Sequence, residues 1–161
     1  MHEAAQAFVE KMGLTLERDG MPRIAGRVLG FLLVHEGAYS LDDLAEALKV
    51  SKASVSTNAR QLEQYGLLER MSEPGDRRDY YQMGPDVWQR LLARWQRKWE
   101  ESRALFTEAA ASLPEEMEAA HARLVRAEQF HLLLVDLADR AIARWRSLDE
   151  ESGAGAEHFA A

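Results

Sequence analysis

Ser40-Leu41-Asp42-Asp43-Leu44-Ala45-Glu46-Ala47-Leu48-Lys49-Val50-Ser51-Lys52-Ala53-Ser54-Val55-Ser56-Thr57-Asn58-Ala59-Arg60-Gln61-Leu62-Glu63-Gln64-Tyr65-Gly66 decides the fold of this chain. Ser40 is a good N-cap, and Asp43 three places on makes a variant capping box. Leu41, Leu44, Ala45 and Leu48 recur at helical spacing, which gives a short helix one buried side and an acidic outer side. Val50 and Ser51 break the pattern, and Ser51 caps a second helix. There Val55, Ala59 and Leu62 stack on one side, while Ala53, Ser54, Thr57, Arg60, Gln61 and Gln64 take the other. Gly66 stops that helix, as a glycine accepting a left-handed conformation does. Leu67 to Ser72 and Asp79 to Met83 then read as two strands around Glu73-Pro74-Gly75-Asp76-Arg77-Arg78, which is turn chemistry with a basic tip. Helix, tight turn, helix and hairpin in this order predict a mainly α chain with a small β-hairpin wing, a winged helix-turn-helix.

The outer side of the second helix departs from an ordinary solvent face, which would carry Glu, Lys and Ala. Serines and a threonine fill it instead. Small hydroxyls allow close approach to a sugar-phosphate backbone, and Arg60 and Gln61 have the reach for base edges. The expected nucleic-acid contacts are Lys52, Ser54, Ser56, Thr57, Arg60 and Gln61, with Asn58 at the edge of the face. Arg77 and Arg78 are placed to engage backbone or minor groove, with Asp76 holding one arginine and so aiming the other; Arg78 is the favoured contact. The plain alternatives are a solvated helix with incidental serines and an Asp–Arg pair that only stiffens the hairpin.

Working outward, Glu3 to Arg18 carries Ala4, Ala7, Phe8, Met12 and Leu16 near helical spacing, weakened by Gly13. Pro22 favours the start of another helix, running to about His35. Gly26 and Gly30 share one face of it, and their cost of about 1 kcal/mol each in a helix interior points to close backbone packing. Arg23 and Arg27 beside that face are open to two readings: phosphate contacts, or partners for carboxylates in a dimer. Pro85-Asp86 opens a long helix whose Trp88, Leu91, Leu92, Trp95, Trp99 and Phe106 follow a 3–4 spacing. From Pro114 a second long helix carries Met117, Leu124, His131, Leu134, Ala138, Trp145 and Leu148. Two such stripes read as an antiparallel pair completing its core with a second chain. The expected dimer seam is Trp88, Trp95, Trp99, Phe106, Leu124, Leu134 and Trp145. A homodimer also sets two reading heads about 34 Å apart, the spacing of successive major grooves. The domain reading is therefore 20–84 winged helix-turn-helix, 1–19 and 85–148 helical dimerisation region, and 149–161 a structureless tail.

Met21-Pro22-Arg23-Ile24-Ala25-Gly26-Arg27-Val28-Leu29-Gly30, Leu41 to Ala45, Ser51 to Asn58 and Pro74-Gly75-Asp76-Arg77-Arg78-Asp79-Tyr80-Tyr81 resemble the GbsR branch of the MarR-type regulators. The resemblance is specific from Gly20 to Met83 and general beyond. It implies a transcription regulator, expected to repress, that binds operator DNA as a homodimer. It also implies that the helix from Lys52 is the recognition helix and Asp76-Arg77-Arg78 the wing tip.

Composition bounds the rest. The 161 residues hold no cysteine, which removes thiolate metal sites and redox thiols, and no apolar run approaches the length of a membrane span. A cytoplasmic chain without membrane contact is expected. The net charge of −7 works against phosphate binding: residues 1–83 carry 10 Lys and Arg against 13 Asp and Glu, and residues 84–161 carry 10 against 14. Placement offsets it, because Lys52, Arg60, Arg70, Arg77 and Arg78 gather on the proposed reading surface. No phosphate-cradling glycine loop, zinc-protease His pair or nucleophile elbow is present, so an enzyme is not expected. No metal and no cofactor are expected either; His121 and His131 stand ten residues apart on one helix. A tryptophan cage for a quaternary ammonium effector is chemically allowed, but a tryptophan stripe is more often core or seam, and the effector stays unassigned. The rival reading is a winged-helix protein-interaction module without DNA readout.

Overall fold

A computed structural model describes residues 2–72, 75–84 and 86–156. Two compact units make up the chain, Met1–Trp88 and Gln89–Ala161. In chain order the elements are α1 (Glu3–Arg18), α2 (Arg23–Val34), β1 (Tyr39–Ser40), α3 (Leu41–Leu48), α4 (Lys52–Gln64), β2 (Leu68–Ser72), β3 (Asp79–Met83), α5 (Val87–Ser112), a single 3-10 turn (Glu115–Met117) and α6 (Glu118–Ala156). This is the mainly helical fold with a small hairpin that the sequence predicts. Pro74 and Pro85, given roles in the wing turn and at the start of α5, lie outside the described residues.

Local chemistry sets the boundaries. The Ser40 hydroxyl accepts from the Asp43 amide at 3.2 Å while Asp43 Oδ2 accepts from the Ser40 amide at 2.9 Å, a complete capping box. That hydrogen bonding holds the Asp43 carboxyl below its usual range. Lys49 ends α3 in a left-handed conformation, φ 54°, so the turn starts one residue earlier than the sequence suggests. Ser51 caps α4 through the Ser54 amide. Gly66 turns the chain at φ 75° into β2. The sheet order is β1-β3-β2, antiparallel, with Leu68 opposite Met83 and Ser72 opposite Asp79.

The core of the first unit is built from Leu44 and Leu48 of α3, Val55 and Leu62 of α4, Val28 and Leu29 of α2 and Tyr81 of β3, all buried. Against it α2 holds α1 by a glycine contact. A Cβ built on Gly26 would stand 2.5 Å from the Met12 carbonyl oxygen and 2.7 Å from Gly13 Cα. The expected close packing of Gly26 and Gly30 is thus found, and its partner is α1. Gly13, which reads as a weak point in α1, is the place where the backbones meet.

In the second unit α5 and α6 run antiparallel. Gln96 Nε2 donates to Asp139 at 2.6 Å, Arg103 meets Glu128 at 3.4 Å, and the Phe106 and His131 rings lie 5.0 Å apart. Of the expected seam, Trp99, Phe106, Leu124, Leu134 and Trp145 are half-buried within the chain, whereas Trp88 and Trp95 are exposed. α6 is described to Ala156, beyond the expected end near Leu148; the rest of the expected tail, 157–161, lies outside the described residues. No described helix is long and apolar enough to cross a membrane.

Candidate nucleic-acid interface

The outward face of α4 is the one the helical periodicity selects. Lys52, Ala53, Thr57, Arg60 and Gln64 are exposed, and Ser54, Ser56 and Gln61 are half-buried. Asn58 is a correction. It is only 6% exposed, turned inward beside Val55, Ala59 and Leu62, with Nδ2 donating to the Ser54 carbonyl at 2.7 Å. Buried behind its own helix, it cannot reach a groove. Its position completes the inward set 55, 58, 59 and 62, so the spacing carried the signal and the polar side chain concealed it.

Hydrogen bonds decide which groups have a donor to spare. The Ser51 hydroxyl donates to Ser54 Oγ at 2.9 Å, which leaves the Ser54 proton available. Thr57 Oγ1 donates back to the Ala53 carbonyl at 3.1 Å and must rotate before it donates outward. Arg60 makes no hydrogen bond or ion pair among the described residues. Lys52 Nζ is held at 2.8 Å by Asp42 of α3, a partner the sequence reading did not foresee. Arg70, counted among the reading cations, lies 3.7 Å from both Glu63 and Asp79 and is locally balanced.

The wing tip is a built clamp. Asp76 accepts from Arg78 Nε at 2.9 Å, from Arg78 Nη2 at 2.7 Å and from the Arg78 amide at 2.9 Å. The Tyr80 hydroxyl donates to the same carboxylate at 2.8 Å, and the Arg78 guanidinium sits 5.3 Å from the Tyr80 ring centroid. Asp76 therefore takes Arg78, and Arg77 is the tip arginine with no ion pair among the described residues. Tyr80 was missed by the sequence reading, although 76, 78 and 80 follow the period of two that puts side chains on one side of an extended chain. The Arg78 hydrogen bonds, ahead of Tyr80's, hold the Asp76 carboxyl well below the usual carboxylate value of 3.8. A group depressed in the folded state contributes above its unfolded value and loses that contribution as pH falls through the folded one. The clamp is therefore expected to hold across the neutral range and open only in strong acid; a titration of the Tyr80 ring signals by NMR checks this, and a transition near neutrality would refute it.

Between α3, the start of α4 and the wing lies a cleft of about 180 Å³ lined by Lys52, Arg77 and Arg78 with Asp42 and Asp79. Three cations from α4 and the wing meet two carboxylates there; Lys52 and Arg78 are already ion-paired, to Asp42 and Asp76. Arg23 and Arg27 do not join them. Both bind Glu10 of α1, at 3.0 and 2.8 Å. The carboxylate they meet belongs to their own chain, which is neither of the two readings the sequence left open.

Residues 19–79 match the family model described as MarR family. Over 81 residues the chain is 46% identical to the HTH-type transcriptional regulator MmpR5 of Mycobacterium tuberculosis, covering 50% of this chain and 49% of that protein. Over 99 residues it is 28% identical to the HTH-type transcriptional repressor OpcR of Bacillus subtilis, covering 62% of this chain and 54% of that one. The chain spans about half the length of the curated relatives it matches. A crystal structure of a transcriptional regulator superposes with a TM-score of 0.80 at 31% identity, covering 89% of this chain and 99% of the other.

Proposed function

We propose that the chain is a MarR-type winged-helix regulator, a reading supported by the family model over residues 19–79, and that it represses transcription by binding operator DNA as a homodimer. The observation that carries this reading is the cleft that sets Lys52, the first residue of α4, beside Arg77 and Arg78 of the wing, on a helix whose outward side exposes Thr57 and Arg60. In this reading Ser54, Ser56, Thr57, Arg60 and Gln61 lie in the major groove. Lys52, Arg77 and Arg78 engage backbone or minor groove, with Asp76 fixing the Arg78 fork. An Arg fork held in plane by a carboxylate is already ordered before it meets DNA, so less entropy is lost on contact. Repression is supported by the name of one matched relative, and placement in the GbsR-like branch by the Pro74 to Tyr81 motif. A cytoplasmic location follows from the same role. The protein-interaction alternative gains no support, because the exposed side of α4 offers no large apolar anchor.

The test is fluorescence anisotropy against DNA from upstream of the protein's own gene and against an unrelated duplex, at several salt concentrations. Saturation at two chains per site with steep salt dependence is expected. Arg60→Ala should narrow the gap between the two duplexes by about tenfold or more, since one bidentate base contact is worth about 1–3 kcal/mol. Arg78→Ala should weaken both duplexes alike and lower the salt slope by about one. Equal loss of discrimination from both changes would show that the contact types are misassigned.

A further inference from the structure

Arg27 lies at the junction of three helices. Its stem crosses α1 at Gly13, where an added Cβ would stand 2.7 Å from Arg27 Cγ, so no side chain fits at that crossing. Its head group then makes two contacts. Nη2 donates at 2.8 Å to the carbonyl of Leu48, and it lies 2.8 Å from Oε1 of Glu10 on α1. Leu48 is the last residue of α3, and its carbonyl is one of those a helix end leaves without an intrahelical donor. Lys49, Val50 and Ser51 alone separate it from Lys52, the first residue of α4.

We propose that Arg27 is a positioning residue for DNA reading: it ties the α3–α4 turn to α1 through Glu10, so that α1 sets how the recognition helix is presented. The inference rests on the regulator reading given above. Two observations separate it from a simple staple between α1 and α2. The backbone approach at Gly13, Gly26 and Gly30 already holds those two helices together. The bond to Leu48 adds nothing to that contact and reaches the turn instead. Direct phosphate binding is disfavoured because the Arg27 side chain is only 19% exposed and its Nη2 is already engaged by Glu10 and Leu48. Arg23, 46% exposed, shares the same carboxylate through Oε2 at 3.0 Å and steadies it. A displacement of α1 therefore has a direct route to the first turn of α4, with no reading residue on α1 itself.

The test uses the full chain with the upstream duplex across a salt series, comparing Arg27→Gln, Glu10→Gln and the double variant, each checked by thermal melting. Arg27→Gln should weaken specific binding about tenfold, the scale of one lost charged hydrogen bond, with the salt slope unchanged because no phosphate contact is removed. Glu10→Gln, which keeps an acceptor but loses the charge, should weaken binding by less. The double variant should bind no worse than Arg27→Gln, since both changes break one linkage. Should Arg27→Gln fail to fold, Glu10→Gln alone decides: a loss of affinity at constant slope supports the linkage, and unchanged affinity overturns it. A slope lowered by about one in Arg27→Gln, with Glu10→Gln silent, would overturn it in favour of a phosphate contact. A wild-type chain that binds with steep salt dependence while both variants match it would sink this inference alone. Failure of the wild type to bind either duplex would sink the regulator reading as well.

Discussion

Gly26→Ala should lower the melting temperature by about 5–10 °C, the response of a domain this size to about 2–3 kcal/mol of overpacking. The added methyl would meet the Met12 carbonyl oxygen at 2.5 Å and Gly13 Cα at 2.7 Å. Both are backbone atoms, so no rotamer change relieves the clash, and α1 has to move off α2. Alanine recovers up to about 1 kcal/mol through its better helix propensity, which sets the lower end of the range. Gly30→Ala provides the graded comparison. Its methyl would meet Met12 Cβ at 2.9 Å, Met12 Cγ at 3.1 Å and Val9 Cα at 3.2 Å, all farther than the 2.5 Å contact at Gly26, so a smaller loss is expected. A melting point for Gly26→Ala at or above the wild-type value would mean the two backbones do not approach as described. Because α1 carries Glu10, the same substitution should also disturb the Arg27 linkage and weaken DNA binding beyond the loss in stability.

The elements that depend on neighbours in sequence were legible from it. Ser40 with Asp43, Ser51 and Gly66 fix the ends of α3 and α4 through bonds three residues long or a single φ, so the helix-turn-helix could be drawn from the chain alone. The inward turn of Asn58 was legible in position but not in chemistry. The buried asparagine donates Nδ2 to the carbonyl of its own helix one turn back, while its Oδ1 is buried without a partner among the described residues. The wing clamp was half legible: Asp76 beside two arginines announces a pair, while the choice of Arg78 depends on where Tyr80 places its hydroxyl and ring. The contacts of Arg27 and Lys52 were not legible. Glu10, Leu48 and Asp42 lie 17, 21 and 10 residues from their partners, and tertiary packing alone brings them together.

Replacing Leu133 and Leu137 with glutamate should convert the chain to monomers and reduce operator affinity by more than about a hundredfold, the lower range of the advantage that two linked binding sites confer. The apolar arc on α6 is broad. Ala138 and Ile142 are buried on one side, and Leu124, His131 and Leu134 are half-buried near them. At about 100° per residue, Phe130, Leu133 and Leu137 fall on an adjoining arc, and all three are exposed. Phe130 is 56% exposed, Leu133 53% and Leu137 50%. Leu124, Leu134 and Trp145, which the sequence stripe assigns to a dimer seam, are half-buried within the chain, and Phe130, Leu133 and Leu137 beside them were not part of that stripe. A helix apolar over more than one partner can bury keeps a place for another, and leaving three large side chains in water forgoes about 1.5–3 kcal/mol for each. A second copy of the chain is the occupant the regulator reading requires, since two reading heads need a fixed separation. Sedimentation equilibrium reads the mass, and anisotropy reads the affinity on the same samples. A double variant that remains dimeric would place the interface elsewhere. A monomer that binds the operator as tightly as the wild type would show that a single winged helix suffices for recognition.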